Sequence, residues 1–237
     1  MLARKTPSTS ATAWPDVVRA AEQAFAAFIE RQDFPCLGAK SSHAQGKLQY
    51  LCAHDIAGTG DDVIITRRLQ AFATQAGDDT LFVSIAILFP LSMPLSERDF
   101  EDALWRRLGA IHALDRIDHG WDRRVSNDPT SPHFSMSVGG ESFYIVGLHP
   151  GASRPARRFA CPVMVFNLHS QFERLRADGR YEKLRQSIVT RDIALAGSPN
   201  PMLAVHGKSS EARQYSGRKV DGDWTCPFHA HTMEKPA

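Results

Sequence analysis

Residues 81–88 read LFVSIAIL, a near-continuous apolar run with β-branched residues at Val83, Ile85 and Ile87. Eight residues of this character favour a strand buried on both faces, at the centre of a sheet. The uncharged stretch around it, 80–90, is about half of what a membrane-spanning helix needs. The fold class expected is α+β. A single domain carries a central mixed, partly antiparallel sheet flanked by helices. The chain has 237 residues, 43 % of them hydrophobic, enough for a substantial core. No linker separates two credible cores, so one domain over 14–229 is expected. A disordered N-terminal tail at 1–13 and a short C-terminal tail at 230–237 complete the chain.

Periodicity supplies the other elements. Residues 14–31 place Val17, Val18, Ala21, Phe25, Phe28 and Ile29 at helical spacing. Phe34-Pro35-Cys36-Leu37-Gly38 reads as the turn that ends this helix. Residues 47–53 read as a short strand, and 61–75 as a helix with Ile64, Leu69 and Phe72 on its stripe. Residues 96–114 carry the clearest helix signature. Ser96 is the cap, Asp99 lies in the first turn, and Phe100, Leu104, Trp105, Leu108 and Ile111 form the apolar face. A charged loop follows over 115–132. Segments 134–138 and 142–148 flank Gly139-Gly140-Glu141 as a hairpin. Residues 162–166 read as a strand, Asn167 begins a helix, and 181–189 is helical. From Gly197 the pattern fails, leaving a tail that is either loose or folded back as a flap.

The formal charge of +2 gives no strong field for nucleic acid. The arginine pairs at 67–68, 106–107 and 123–124 lie in different elements with acidic neighbours, the mark of solvated faces. Cys36, Cys52, Cys161 and Cys226 form no CxxC pair, and no apolar leader precedes a cleavage site. A cytoplasmic protein with reduced thiols is expected, with no nucleic-acid or membrane partner. Zinc-finger spacing, a P-loop and a GxSxG elbow are all missing from the sequence.

The segment 147–159, GLHPGASRPARRF, stands out as the functional centre. His149 follows an apolar strand and precedes Pro150-Gly151, which suits an iron ligand, another metal ligand or a base, or a histidine that merely bonds a turn. Arg154, Arg157 and Arg158 suit carboxylates or phosphates, with Ser153 assisting. A solvated basic face is the plain alternative. His169 is a second ligand candidate, and Glu173 could orient it. Cys226 and Cys36 could each supply a thiolate ligand or be a buried thiol.

The chain resembles the YqcI/YcgG family through FPCLGAK at 34–40, FSMSVGGESFYIVGLHPGASRPARRF at 134–159 and PVMVFNLHSQFERLR at 162–176. RDIALAGSPNPML at 191–203, SSEARQYSGRKV and DWTCPF extend the resemblance toward the C-terminus. That family includes haem-dependent N-hydroxylases of free arginine or a cyclic arginine-like amino acid. The resemblance implies a noncovalent b-type haem (iron protoporphyrin IX), dioxygen, a guanidino amino acid as substrate and a separate electron-donating reductase. His149 would be the axial ligand, His169 the second candidate, and Cys226 or Cys36 the third. Arg154, Arg157 and Arg158 would receive propionates or the substrate carboxylate. Glu173, Glu211 or Asp192 would pair the guanidinium. Competing readings are a noncatalytic haem-binding or sensing protein and a haem-free anion-binding or structural protein.

Overall fold

A computed structural model describes residues 13–75, 81–203 and 207–230. The expected tails therefore lie almost wholly outside the described residues. Five strands, β1 (Leu48–Cys52), β2 (Ser84–Leu88), β3 (Met136–Val138), β4 (Glu141–Leu148) and β5 (Val163–Leu168), form one sheet in the order β1-β2-β5-β4-β3. β1 and β2 run parallel, and every other pairing is antiparallel. The protein is a mixed α+β fold, with an open sheet and helices on both faces.

The run at 81–88 is the central strand expected, but it enters the sheet only at Ser84. Phe82 has φ 60°, a left-handed conformation that a bulky side chain rarely adopts and that interrupts extended backbone. β5 also differs from expectation. Asn167 and Leu168 remain in the strand, paired with Ser84 and Tyr144 and with Phe143 respectively, so the helix begins at His169.

Strand alternation gives the sheet two different faces. Ile85, Ile87, Phe143, Ile145, Met164 and Phe166 point to one core, shared with α3 (Asp62–Gln75) and α4 (Glu97–Asp115). Ser96 caps α4 as expected, its Oγ accepting the Asp99 amide at 3.2 Å. Of the tail after Gly197, described residues from 212 to 230 fold back on this side. Tyr215, Cys226 and Phe228 belong to the same core. Glu101 on α4 holds the tail by accepting from Ser216 Oγ at 3.0 Å and from Arg218 Nε at 2.8 Å.

On the opposite face, α1 (Trp14–Glu30) covers Leu48, Ala86, Leu88, Leu148 and Val163 with Phe25, Phe28 and Ile29. The rest of that face lies beneath α2 (Leu37–Ala44), α5 (His169–Ala177) and α6 (Tyr181–Ala196). α2 replaces the turn expected after Phe34. Pro35 restricts only the residue before it, and Cys36 acts as the N-cap. α6 runs past Val189 to Ala196 and stops at Gly197, whose φ of 74° is the left-handed geometry of a helix C-cap.

Gly147 marks the closest approach of sheet, α4 and tail. A Cβ there would meet Phe100 Cε1 and the Tyr215 carbonyl at 2.8 Å and Leu104 Cδ1 at 2.9 Å. The carbonyl belongs to fixed backbone, so the clash cannot be relieved by a rotamer change. Gly147→Ala is expected to lower the unfolding free energy by about 1–3 kcal/mol, measured by urea denaturation.

Candidate functional site

A cavity of about 260 Å³ lies on the sheet face that α1 leaves uncovered. Its floor is polar where the flanking strands are apolar. Ser84, Asn167 and Tyr144 sit side by side across β2, β5 and β4. Ser84 Oγ donates to Asn167 Oδ1 at 2.7 Å, and Asn167 Nδ2 donates to the Tyr144 carbonyl at 3.2 Å. Tyr144 Oη in turn donates to Gln214 Oε1 at 3.0 Å. Burial pushes the Tyr144 phenol up to about 12, so it stays a neutral hydrogen-bonding group.

The walls are largely apolar. Phe172 and Leu175 of α5 and Leu184, Ile188 and Val189 of α6 face the cavity, together with Phe82. No residue of α6 is fully buried, because its apolar stripe borders this space rather than packed side chains. Phe82 is the one described non-glycine residue with positive φ. Backbone held in a sparsely populated region clusters at functional sites, and this instance lies on the cavity wall.

Besides Arg176, which is bound to Glu173, four groups with chemical capacity reach the cavity. Cys36 is at the N-terminus of α2, and its Sγ accepts the Ala39 amide at 3.4 Å. Burial pushes the thiol up, while the Gly38 and Ala39 amides and the charge of Arg157 pull the other way. His169 begins α5, with Nδ1 3.7 Å from Glu173 and Nε2 4.0 Å from Glu211. Glu211 lies just before α7 (Ala212–Tyr215), and its side chain is 14 % exposed. Burial raises its carboxyl to about 7. Arg185 of α6 lines the cavity with no ion pair or hydrogen bond to the described residues.

The segment 147–159 lies elsewhere, and none of its residues lines this cavity. His149 is 1 % exposed and stacks on Phe100 of α4, ring centroids 4.3 Å apart, on the other side of the sheet. Its Nδ1 is buried without a hydrogen-bond partner. The three arginines are engaged within the protein. Arg154 pairs with Asp192 and bonds the Pro199 and Ser198 carbonyls. Arg157 donates to the carbonyls of Gly147 at 2.9 Å and of Tyr215 and Gln214 at 3.3 Å. Arg158 closes on the Ala152 and Ser153 carbonyls, and the Ser153 amide donates to Glu97. The segment is a structural joint that fixes α6 and α7 against β4, since carbonyls and Asp192 supply the acceptors that the arginines need. Cys226 is buried in the α4-side core, its thiol raised to about 12 by burial, away from the cavity. Glu173 is half exposed and accepts from Arg176 at 2.6 Å.

Sequence reasoning therefore found Cys36, His169 and Glu211 but ranked them below the basic segment. It missed Ser84, Tyr144, Asn167 and Arg185. A signal was present for two of these: Ser84 and Asn167 interrupt otherwise apolar strand runs, and register pairs them. All four cysteines are thiols. Among the described residues, no group of three or more histidine, cysteine, aspartate or glutamate side chains is placed to hold a metal ion. No helix there is long and apolar enough to cross a membrane.

The buried His149 ring carries a stability prediction. Desolvation depresses its pKa from 6.5, outweighing the opposing charge of Glu97. The unfolded chain then binds the proton more readily, so this residue's contribution is present above about pH 6.5 and is lost as pH falls below it. His149→Phe preserves the stack on Phe100. The stability advantage of wild type over this variant is expected to shrink from pH 7 to pH 5, by at most about 1.4 kcal/mol per pH unit, in paired urea titrations.

A sequence model of the YqcI/YcgG family matches residues 25–229, which takes in every strand and every residue of the cavity. Comparison with curated proteins and with solved structures gives no match.

Proposed function

The chain belongs to the YqcI/YcgG family, and on that premise we propose that it is a haem-dependent monooxygenase that N-hydroxylates a free amino acid bearing a guanidino group. The observation that carries this reading is the placement of Cys36. Its sulfur sits at a helix N-terminus, accepts a backbone amide proton and opens on a cavity with apolar walls. A helix terminus and an amide donor both favour the thiolate over the thiol. Burial works against an isolated thiolate, so the anion is favoured only when a positive centre meets the sulfur.

The residues present fit a b-type haem. Cys36 offers a soft donor, and the apolar side chains of α5 and α6 suit a flat porphyrin. Arg185 and Arg176 border the cavity, where guanidiniums can receive carboxylates. Cys36 would hold the iron, and haem when bound supplies the reductive activation of dioxygen. The net change is balanced by a separate reductase. One oxygen atom enters a guanidino N–H bond as N–OH and the other leaves as water, consuming two electrons and two protons.

The chain's own contribution is positioning and exclusion of water. The Ala39 amide restrains the sulfur and tempers its basicity, as outer hydrogen bonds do for metal ligands. Leu184, Ile188 and Val189 keep the space dry, which strengthens every charge interaction inside it. The Ser84–Asn167–Tyr144 floor is rigid because it is built on paired strands, and it presents polar atoms to the substrate backbone or carboxylate. His169 stands beside Glu211 at the same end as Gln214, in reach of a proton-bearing group bound there.

Haem reconstitution of the full chain tests the reading. Wild type and His149→Phe are expected to give the same Soret band. Cys36→Ala is expected to lose it or shift it, and the carbon-monoxide difference spectrum should change from thiolate to nonthiolate type. Consumption of oxygen and reductant that depends on L-arginine separates an oxygenase from a noncatalytic haem protein. A Cys36→Ala spectrum identical to wild type sinks the ligand assignment, and the absence of any haem band sinks the reading as a whole.

A further inference from the structure

One carboxylate side chain among the described residues, that of Glu211, lines the cavity. Asp192 is neutralised by Arg154, and Glu173 is 56 % exposed and bound to Arg176. Glu211 differs from both. It lines the cavity and is 14 % exposed. Among the described residues its one ion-pair partner, His169, stands 4.0 Å away, and the Ser135 hydroxyl and the more distant charge of Arg176 favour its ionised form without offsetting the effect of burial.

Tertiary contacts hold this carboxyl in place. The Tyr215 hydroxyl lies 2.6 Å from Glu211 Oε1 and 3.1 Å from the Phe143 carbonyl, and it accepts the Met136 amide proton at 3.2 Å. Tyr215 is itself fully buried and sits one residue after Gln214, another cavity residue. A side chain anchored through one oxygen by a buried phenol has lost its rotamer freedom in advance. It therefore binds a partner at little further entropic cost. Burial destabilises its ionised form, so a cation that brings hydrogen-bond donors gains more here than at an exposed carboxylate.

We propose that Glu211 is the specificity-determining residue of the cavity and receives the cationic guanidino group of the substrate. The inference rests on the reading above for the substrate class only, not for the haem. A planar guanidinium offers paired N–H donors that match the two oxygens of a carboxylate. The neutral urea of citrulline has nearly the same shape but no charge, so Glu211 discriminates between the two. A site built around a charge and its hydrogen bonds rejects an analogue that lacks them far more strongly than an apolar pocket rejects a size variant.

The test is calorimetric titration of L-arginine and L-citrulline into the full chain, in haem-free and haem-reconstituted forms, at one pH and ionic strength. Wild type is expected to bind arginine at least about tenfold tighter than citrulline. Glu211→Gln keeps the size and the Tyr215 contact, and it is expected to lose that preference while its citrulline affinity stays within about twofold. Its Soret band after reconstitution should match wild type. A Glu211→Gln protein that still prefers arginine overturns the proposal, as does a wild type that binds both ligands equally or neither. If circular dichroism shows Glu211→Gln to be unfolded, Glu211→Asp decides. That variant keeps the charge but withdraws it by one methylene, so arginine affinity should fall with citrulline affinity unchanged; equal loss for both ligands overturns the proposal. A missing Soret band in wild type fails the haem reading alone, because the arginine preference is read on the haem-free chain.

Discussion

β5 joins the protein into one sheet. It pairs with β2 along Val163 to Asn167 and with β4 along Val163 to Leu168. Without it, the parallel β1–β2 pair and the β3–β4 hairpin would be separate two-stranded pieces, each too small to be stable in water. Its register also brings Ser84, Asn167 and Tyr144 into one row. Slippage by a single residue would turn that row into the α4-side core and expose Phe166 to the cavity. The architecture and the floor of the site therefore depend on the same set of hydrogen bonds.

The two sheet faces have different tasks. Against α3, α4 and the returning tail the face is densely packed, and Gly147 leaves no room even for a methyl group. The opposite face is only half covered by α1, and the remainder borders the cavity. Arg154 and Arg157 connect the two halves of this design. By binding carbonyls after α6 and in α7 they hold the wall and the Gln214–Glu211 end in place. The basic segment thus supports the site from behind without facing it. This also explains why a histidine–arginine cluster that looks like a ligand-binding loop spends its arginines on carbonyls and Asp192 within the protein.

Much of the architecture was legible in the residues. The apolar run at 81–88, the capped helix after Ser96 and the Gly139-Gly140 turn each carry a local cause, and each appears in place. α2 was hidden because a proline and a glycine bracket its start, and a cysteine is an uncommon N-cap. The helix expected from Asn167 failed for a different reason. Pairing with Ser84 and Tyr144 outweighs local helical preference, and that pairing is long-range. The cavity was harder still. Its described residues come from 36–39, 82–84, 132, 144–146, 167–189 and 203–214, so no window of sequence contains it. The segments that resemble the YqcI/YcgG family nonetheless supply most of this lining, including Cys36, Tyr144, Asn167, His169, Glu211 and Gln214.

The sequence by itself determined the class of fold, the central strand, the principal helices and the set of chemically capable side chains. Those follow from hydrophobic period, turn chemistry and residue type, which act over a few positions. Tertiary structure decided which of those side chains share a space. His149 and Cys36 are equally plausible as isolated residues. The alternation of β4 sends the chain around His149 toward Phe100, while the cap of α2 turns Cys36 toward the cavity. The fate of a charge was decided in the same way: Arg157 meets carbonyls from a tail some sixty residues distant, and Glu211 meets a buried phenol, the Ser135 hydroxyl and a histidine. Burial and partnership are properties of the packed chain, and they select the site from the candidates that composition offers.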